Sequence, residues 1–444
     1  MATIDTTAIA NQLKRVYGDK LTSLFARHQM TYNLFNQSAR SATPRPGGAG
    51  YYFGLREADI QSVGARTEGQ YLPEPIAGDS AQGVILPKLI YGSLRLSGLA
   101  IEAGKGNLAA FVDTQAEATM TTYQALITDL NRQCWGDGFG KLATLSTAGT
   151  TLTGSTWTLT CDNDVGVRYL RKGMVVDMYT TAGTPIQAAC NQRISSVDSV
   201  NRQIVMLANA NTWRTYHPDS TMAAYAAANS AAVATGAHIV RQGAREVAFA
   251  TTDTPIEMVG LLGQYDDGTL LATHENITIT ANPSFKANVM DNSAVNRELS
   301  IDLMLSAMDM TNAQAGMAPN LIRMGLGQRR KYFSLLAPDV RFAPASFRGG
   351  YEQLDFSQNS AVKIVVDPVT QPNRLFFEVD GAIKKYELKK LGWGGFDPNK
   401  MHWRERYDEA NMYLSVYTNL GVENRVALTL LNDLSEPAGI TMPF

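Results

Sequence analysis

A chain of 444 residues with 45% hydrophobic and 18% charged residues is long enough for two or three domains, each with its own core, and too apolar to be disordered. Its 39 Lys plus Arg against 41 Asp plus Glu leave a formal net charge of -2, too balanced for a protein whose main task is gripping phosphates, so any nucleic-acid contact is local. The widely spaced Cys134, Cys161 and Cys190 form no Cys-x-x-Cys pair and point to a reduced compartment; the N-terminus lacks the pattern of a secretory signal, and the small-residue stretch 222–233 falls short of the roughly 20 apolar residues that span a bilayer.

Residues 6–30 place Ile9, Leu13, Val16, Leu21, Leu24 and Phe25 at spacings near three and four, the pattern of an amphipathic helix interrupted at Gly18. Up to Arg45 this arm holds six bases against two acids, as either a solvated face or a contact for nucleic acid or an acidic partner. Pro and Gly punctuate 43–48, and Tyr51 to Leu55 then reads as a strand. A polar excursion over 57–83 carries Glu57, Asp59, Arg66, Glu68 and Glu74 before Val84 to Leu96 returns as a second extended run. The pair predicts one long hairpin with arms of about 12 residues, reaching roughly 40 Å at the strand rise. An isolated hairpin is marginal in water, so this one is expected to rest on another molecule; the competing reading is a disordered surface loop.

From Asn107 to Trp135, the residues Leu108, Phe111, Val112, Met120, Tyr123, Leu126, Ile127, Leu130 and Cys134 mark one apolar stripe. It predicts a spine helix about 43 Å long, capped by Asn107 and stopped by Gly136 and Gly138. Residues 145–245 are richer in Thr and Ser, with β-prone runs at 156–160, 174–179, 194–197 and 204–207, a hairpin turn at 198–201 and an Ala-rich loop or short helix at 222–234. This reads as an inserted small β domain. Residues 246–310 carry ten acids against Lys286 and Arg297, a solvated acidic face or a docking charge. Helices at 299–310 and 328–336 and strands at 362–366, 375–379 and 383–388 complete an α+β chain without internal repeats.

Motifs for chemistry are absent. Gly136, Gly138 and Gly140 follow a helix where a dinucleotide loop follows a strand, so they read as the helix end. Asp162, Asn163, Asp164 and Gly166 approach a calcium loop, but the acids sit one residue too close and no glutamate follows at the required distance. Asp266, Asp267 and Gly268 suit either a divalent ion or an ordinary turn. His28, His217, His238, His274 and His402 are scattered, and there is no Gly-x-Ser-x-Gly elbow. No nucleophile, base and orienting group assemble, so no catalytic, metal or cofactor-binding residue is expected, and the chain is not expected to be an enzyme.

The order of basic arm, long hairpin, spine helix and mixed domain resembles the major capsid protein fold of tailed double-stranded DNA bacteriophages, named after phage Hong Kong 97. Local sequence agrees. The segment ALITDLNRQCWGDGFGKL from Ala125 is similar to that family's helix with its Gly-rich exit, and Leu299 to Ala337, with Pro319 before a short strand, resembles its axial domain. FRGGYEQLDF, AVKIVVDPVTQPNRLFFEV, LGWGGFD and YTNLGVENRVALTLLNDL, between Phe347 and Leu434, resemble its closing strands and final shell strand.

The resemblance implies an N-terminal arm at 1–49, an extended loop at 50–96, a peripheral domain from 97–144 and 246–298 around a spine helix at 107–135, an inserted β domain at 145–245, an axial domain at 299–425, and a C-terminal shell strand and tail at 426–444. It implies axial domains meeting at the centres of hexamers and pentamers, with the loop residues Glu57, Asp59, Arg66, Glu68 and Glu74 lying over the neighbouring subunit. Lys14, Arg15, Lys20 and Arg27 would face the interior and touch packaged DNA without reading its sequence. The implied partners are copies of the chain, a separate scaffold protein (the alternative being a fused scaffold domain removed before this form), a portal and a decoration protein, with no membrane; the implied location is the virion, after assembly in the host cytoplasm. The lysine crosslink of some relatives is not expected, because 57–87 contain no lysine and Lys88 sits at the hairpin base. An encapsulin-type compartment is the runner-up. A β-rich hydrolase or binding module, using an exposed Trp157 or Trp213, is the alternative of another class.

Overall fold

The computed structural model describes residues 31–38, 50–57, 63–71, 74, 78–100, 114–146, 156–162, 165–181, 186, 190, 192–207, 234–244, 255–336, 355–357, 361–393, 402–403 and 407–436. The arm helix with Lys14, Arg15, Lys20 and Arg27, the loop residue Asp59, the Asn107 cap, the Ala-rich stretch and Trp213 lie outside the described residues.

The organising strand is Glu409–Val422, which pairs antiparallel with Lys88–Ser97 on one side and Ile383–Trp393 on the other. Asn36–Gln37 adds in parallel beyond Ile383–Trp393, and His402–Trp403 pairs near the start of the long strand. Strand side chains alternate between faces, and here one face is apolar. Ile90, Val416, Leu420 and Val422 pack with Leu126, Leu130 and Cys134 of the spine helix, while Leu94, Leu96 and Ala410 close a smaller cluster against Ala118. The helix itself runs Thr114–Gln133, 20 residues and about 30 Å of rise. Its last turn closes through the amides of Trp135 and Gly136, bonded to Arg132 and Gln133 at 3.0 and 3.1 Å; the predicted first turns, within 101–113, lie outside the described residues.

The extended run expected over Val84 to Leu96 is two strands. Pro87 offers no amide hydrogen and interrupts the ladder. Ser80–Ile85 pairs with Tyr51–Arg56 over six residues, whereas Lys88–Ser97 leaves to join the long sheet. The paired stem is therefore about half the predicted length, roughly 20 Å.

Lys141–Thr144, His238–Arg241, Val175–Tyr179, Gln192–Asp198, Gln203–Leu207 and Thr156–Thr160 pair antiparallel in that spatial order. A bridge between Leu145 and Cys161, just beyond the first and last strands, brings the two ends of the sheet together, so it curls into a small barrel joined at that point. Leu142, Leu159, Met178, Ile194, Met206 and Ile239 fill it. Asp198 makes the predicted turn by accepting the amides of Val200 and Asn201 at 2.9 and 3.1 Å.

The third body is a mixed sheet in the order Asn288–Met290, Leu428–Leu431, Leu375–Glu378, Leu321–Met324, Ala361–Val366, Asp355–Ser357. Its three central strands are buried throughout, and the charges they carry, Arg323 and Glu378, are buried as a pair 2.6 Å apart. One helix, Ile301–Ala315, starts at Ser300, whose hydroxyl accepts the Leu303 amide at 3.2 Å, and runs past the predicted end at Met310 to a left-handed Gly316. The other is Leu326–Leu336. The range expected to be axial, 299–425, thus divides between two sheets: Ile383–Trp393 and Glu409–Val422 pair with the strand that backs the spine helix.

The spine helix abuts the 255–264 segment so closely that a Cβ on Gly260 would overlap the Gln133 carbonyl and the Cys134 backbone. Gly260→Ala is expected to lower the unfolding free energy by about 1–3 kcal/mol. Urea unfolding reads this directly, and an unchanged midpoint would mean that the junction has room to spare.

Candidate inter-subunit surface

Beyond its stem the extended loop forms no strand over 63–71, and its side chains there are exposed. Val63 and Tyr71 have 93% and 96% of their surface open, unusual for large apolar side chains. Arg66, expected to reach another subunit, folds back on the tip, donating to the Tyr71 and Ala65 carbonyls at 3.2 and 3.0 Å. Glu68 and Glu74 are exposed. Glu57 belongs to the stem, where its amide bonds the Asp79 carbonyl at 2.9 Å.

The loop root is fixed by a turn that sequence reading missed. Thr273–His274 and Ile277–Thr278 form a two-residue hairpin, and Glu275 and Asn276 sit at φ 50° and 66°, as its tight turn requires. The Glu275 carbonyl accepts the Val84 amide at 2.7 Å, and its Oε1 accepts the Val422 amide at 3.0 Å. Asn419 adds a second tie, donating to the Leu86 carbonyl at 2.9 Å. Oε2 of Glu275 is buried without a hydrogen-bond partner among the described residues. Burial therefore pushes the Glu275 carboxyl up to about 8, and burial with the nearby Arg425 charge holds His274 well below the usual histidine range. At the same root the Lys88 ammonium donates to the Pro255 carbonyl, and burial lowers its pKa.

A second surface lies on the face of the long sheet turned away from the spine helix. Register places Tyr91 opposite Ser415, and both Leu89 and Lys389 opposite Tyr417. Leu89, Tyr91 and Tyr413 are exposed there, and the Tyr91 and Tyr417 rings meet edge to face at 6.0 Å. Lys389 stands 5.3 Å above the Tyr417 ring and donates to the Ser415 hydroxyl at 2.6 Å. An aromatic stripe carrying a cation results. Its only sequence signal was the Tyr-x-Ser-x-Tyr alternation of 413–417, which says nothing about the partner strand.

The motifs weighed for metals are turns. Asp266 accepts the amides of Gly268, Leu270 and Leu271 at 3.0, 3.0 and 2.9 Å, and Asp162 accepts those of Val165 and Gly166 at 3.3 and 3.2 Å. Among the described residues no group of three or more His, Cys, Asp or Glu is placed to hold a metal ion, and no helix is long and apolar enough to cross a membrane. Trp157 lies in a barrel strand opposite Met206.

The Glu275 latch carries a pH signature. A folded pKa near 8, above the ordinary 4.5, gives stability that is fully present below pH 4.5 and lost as pH rises toward 8. Glu275→Gln removes this titration, so the stability of the variant relative to the parent should climb by up to about 1.4 kcal/mol per pH unit across that window. Urea unfolding at pH 5, 6.5 and 8 checks it; parallel pH profiles would count against the latch.

No protein-family model matches the sequence, and no curated protein sequence matches it significantly. Solved structures do. A chain of the cyanophage A-1(L) capsid asymmetric unit aligns over 98% of this chain and 99% of its own, at 10% identity and a TM-score of 0.55. The capsid of a native GTA particle aligns over 98% and 100% at 8% identity and a TM-score of 0.44. The holo-SrpI encapsulin complex of Synechococcus elongatus PCC 7942 aligns over 98% and 97% at 9% identity and 0.39. With the extended loop, the spine helix backed by long strands and the mixed sheet all present, and the cyanophage alignment running nearly end to end, the chain has the α+β Hong Kong 97-like fold of phage capsid proteins.

Proposed function

We propose that the chain is a major capsid protein that assembles through hexamers and pentamers into the icosahedral head around phage double-stranded DNA, its extended loop lying on the aromatic sheet face of the next subunit. The carrying observation is the loop. Val63 and Tyr71 stand open on a tip whose six-residue stem is pinned at its root, an arrangement that holds apolar surface ready for a partner. Charge supports the pairing: residues 57–79 hold five acids and one base, while Ile383–Trp393 holds four lysines and one glutamate. The work is mechanical and asks for no reactive centre.

In this reading the basic arm, with Lys14, Arg15, Lys20 and Arg27, faces the packaged DNA, and a separate scaffold, a portal and a decoration protein are the further partners. Assembly takes place in the host cytoplasm and the product is the virion shell.

Electron microscopy of the purified chain, expressed with and without a neighbouring scaffold gene, tests the shell. Closed icosahedral particles or capsomer rings are expected, and nuclease-protected DNA in particles from infected cells supports the cargo. A monodisperse monomer under both conditions overturns the reading. For the loop, the double substitution Val63→Ser with Tyr71→Ser should leave circular dichroism unchanged and cut particle yield at least about tenfold, the loss expected when two large apolar contacts of about 1.5–3 kcal/mol each disappear. Normal shells from that variant would remove the role given to the tip.

A further inference from the structure

The apolar stripe of the spine helix is longer than the core that uses it. Leu126, Leu130 and Cys134 pack against the long sheet, but Met120 and Tyr123, within two turns before Leu126, keep 55% and 39% of their surface open. A lone exposed apolar residue is ordinary, whereas two at this spacing on one helix make a strip that a partner can cover. Met120, Gln124, Ile127 and Asn131 follow one another at spacings of four, three and four, so the strip runs straight along the helix to Asn131.

At Asn131 the chain itself arrives. The described residues begin at Thr31, whose amide donates to the Asn131 side-chain oxygen at 2.7 Å and whose hydroxyl donates to the Asp367 carboxylate. Because Asn131 takes that amide, the short helix Thr31–Leu34 starts there, and the residues before it leave from the side of the spine. Only one direction offers apolar surface. Past Gln133 the spine ends against the 255–264 segment, whereas back toward Met120 the strip is open.

Length then selects the occupant. Asn131 to Met120 is about 16 Å of helix, and the stretch between Gly18 and Thr31, if helical, has a similar reach. Within that stretch Leu21, Leu24 and Phe25 recur at three and four residues and make one apolar face, while Ile9, Leu13 and Val16 lie beyond Gly18. We infer that residues 19–30 dock as a helix along the Met120 and Tyr123 strip of their own spine, parallel to it, with Leu21 near the level of Met120 and Leu24 near that of Tyr123. Lys20 and Arg27, seven residues apart, then share a flank roughly 100° from the apolar face and are turned from the spine. That flank suits the contact with packaged DNA proposed above, but the docking lies within one chain and stands whether or not the shell reading does.

The test is disulfide trapping in the dilute, full-length chain. Cys134, Cys161 and Cys190 are buried and stay out of the reaction. Leu21→Cys with Met120→Cys should close an intrachain disulfide under mild oxidation, read as a faster monomer band without reductant and located by peptide mass. Lys20→Cys with Met120→Cys, at the same height but on the flank, should close several-fold less. In the unaltered chain the amides of 21–29 should exchange with solvent at least about tenfold more slowly than in the free peptide 15–34, and Leu24→Asp with Phe25→Asp should remove that protection. An interchain disulfide places the arm on a second copy and overturns the proposal. So do equal yields from the two cysteine pairs, absence of the Leu21 disulfide, or exchange at the free-peptide rate.

Discussion

The structure turns on one buried charge. Arg132, at the end of the spine helix, has 6% of its side chain exposed, and a guanidinium so placed costs several kcal/mol unless it is paired and hydrogen-bonded. It is paired on both sides, by Asp129 one turn earlier and by Glu257 from the segment that crosses the helix end. Burial alone would raise the Asp129 carboxyl, yet the Arg132 and Arg241 charges hold it below the usual range, so it stays ionised where it is needed. Gln133 extends the network, donating to Asp129 at 2.9 Å and accepting the Met258 amide at 3.2 Å. Both chain passages between the spine and the barrel run past this point: the Arg241 amide bonds the Gly140 carbonyl, and the Glu257 amide bonds the Gly138 carbonyl, each at 3.0 Å. The placement of the barrel, the end of the spine and the start of the acidic segment are therefore one constraint.

What was legible in the sequence follows from what is local. The described part of the spine stripe and the four β-prone runs of the barrel announce themselves by period and composition, and the structure has them within a few residues. Pro87 was equally visible, but the apolar run continues across it, and only the missing amide hydrogen shows that the two halves belong to different sheets. Asp129 and Arg132, three residues apart on the spine, carry no local signal of their burial, because it depends on Glu257, which no sequence pattern brings near. Glu275 is similar: an acid in a polar turn is unremarked until Val84 and Val422 close over it. The aromatic face is the least legible feature, since Tyr91 and Tyr417 become neighbours through strand register alone.

Loop tip and sheet face are different patches of the same chain, and that has a geometric consequence. If one binds the other between copies, the contact is heterologous, running head to tail, and it closes into a ring wherever the rotation per subunit divides a full turn. Five-fold and six-fold rings differ by 12° per subunit, so one contact can serve both only if something in it bends. The six-residue stem is too short to bend much within its ladder, and its root is held by the backbone bond from Val84 to Glu275 and by Asn419. Adaptation is then left to the stretch beyond the ladder, 63–71, which carries no strand pairing of its own. Apolar anchors on such a segment tolerate small rotations better than directional hydrogen bonds do, because burial scales with area and has no preferred angle. A rigid root with an adaptable apolar tip is thus a physical route by which a single sequence can occupy two symmetry environments.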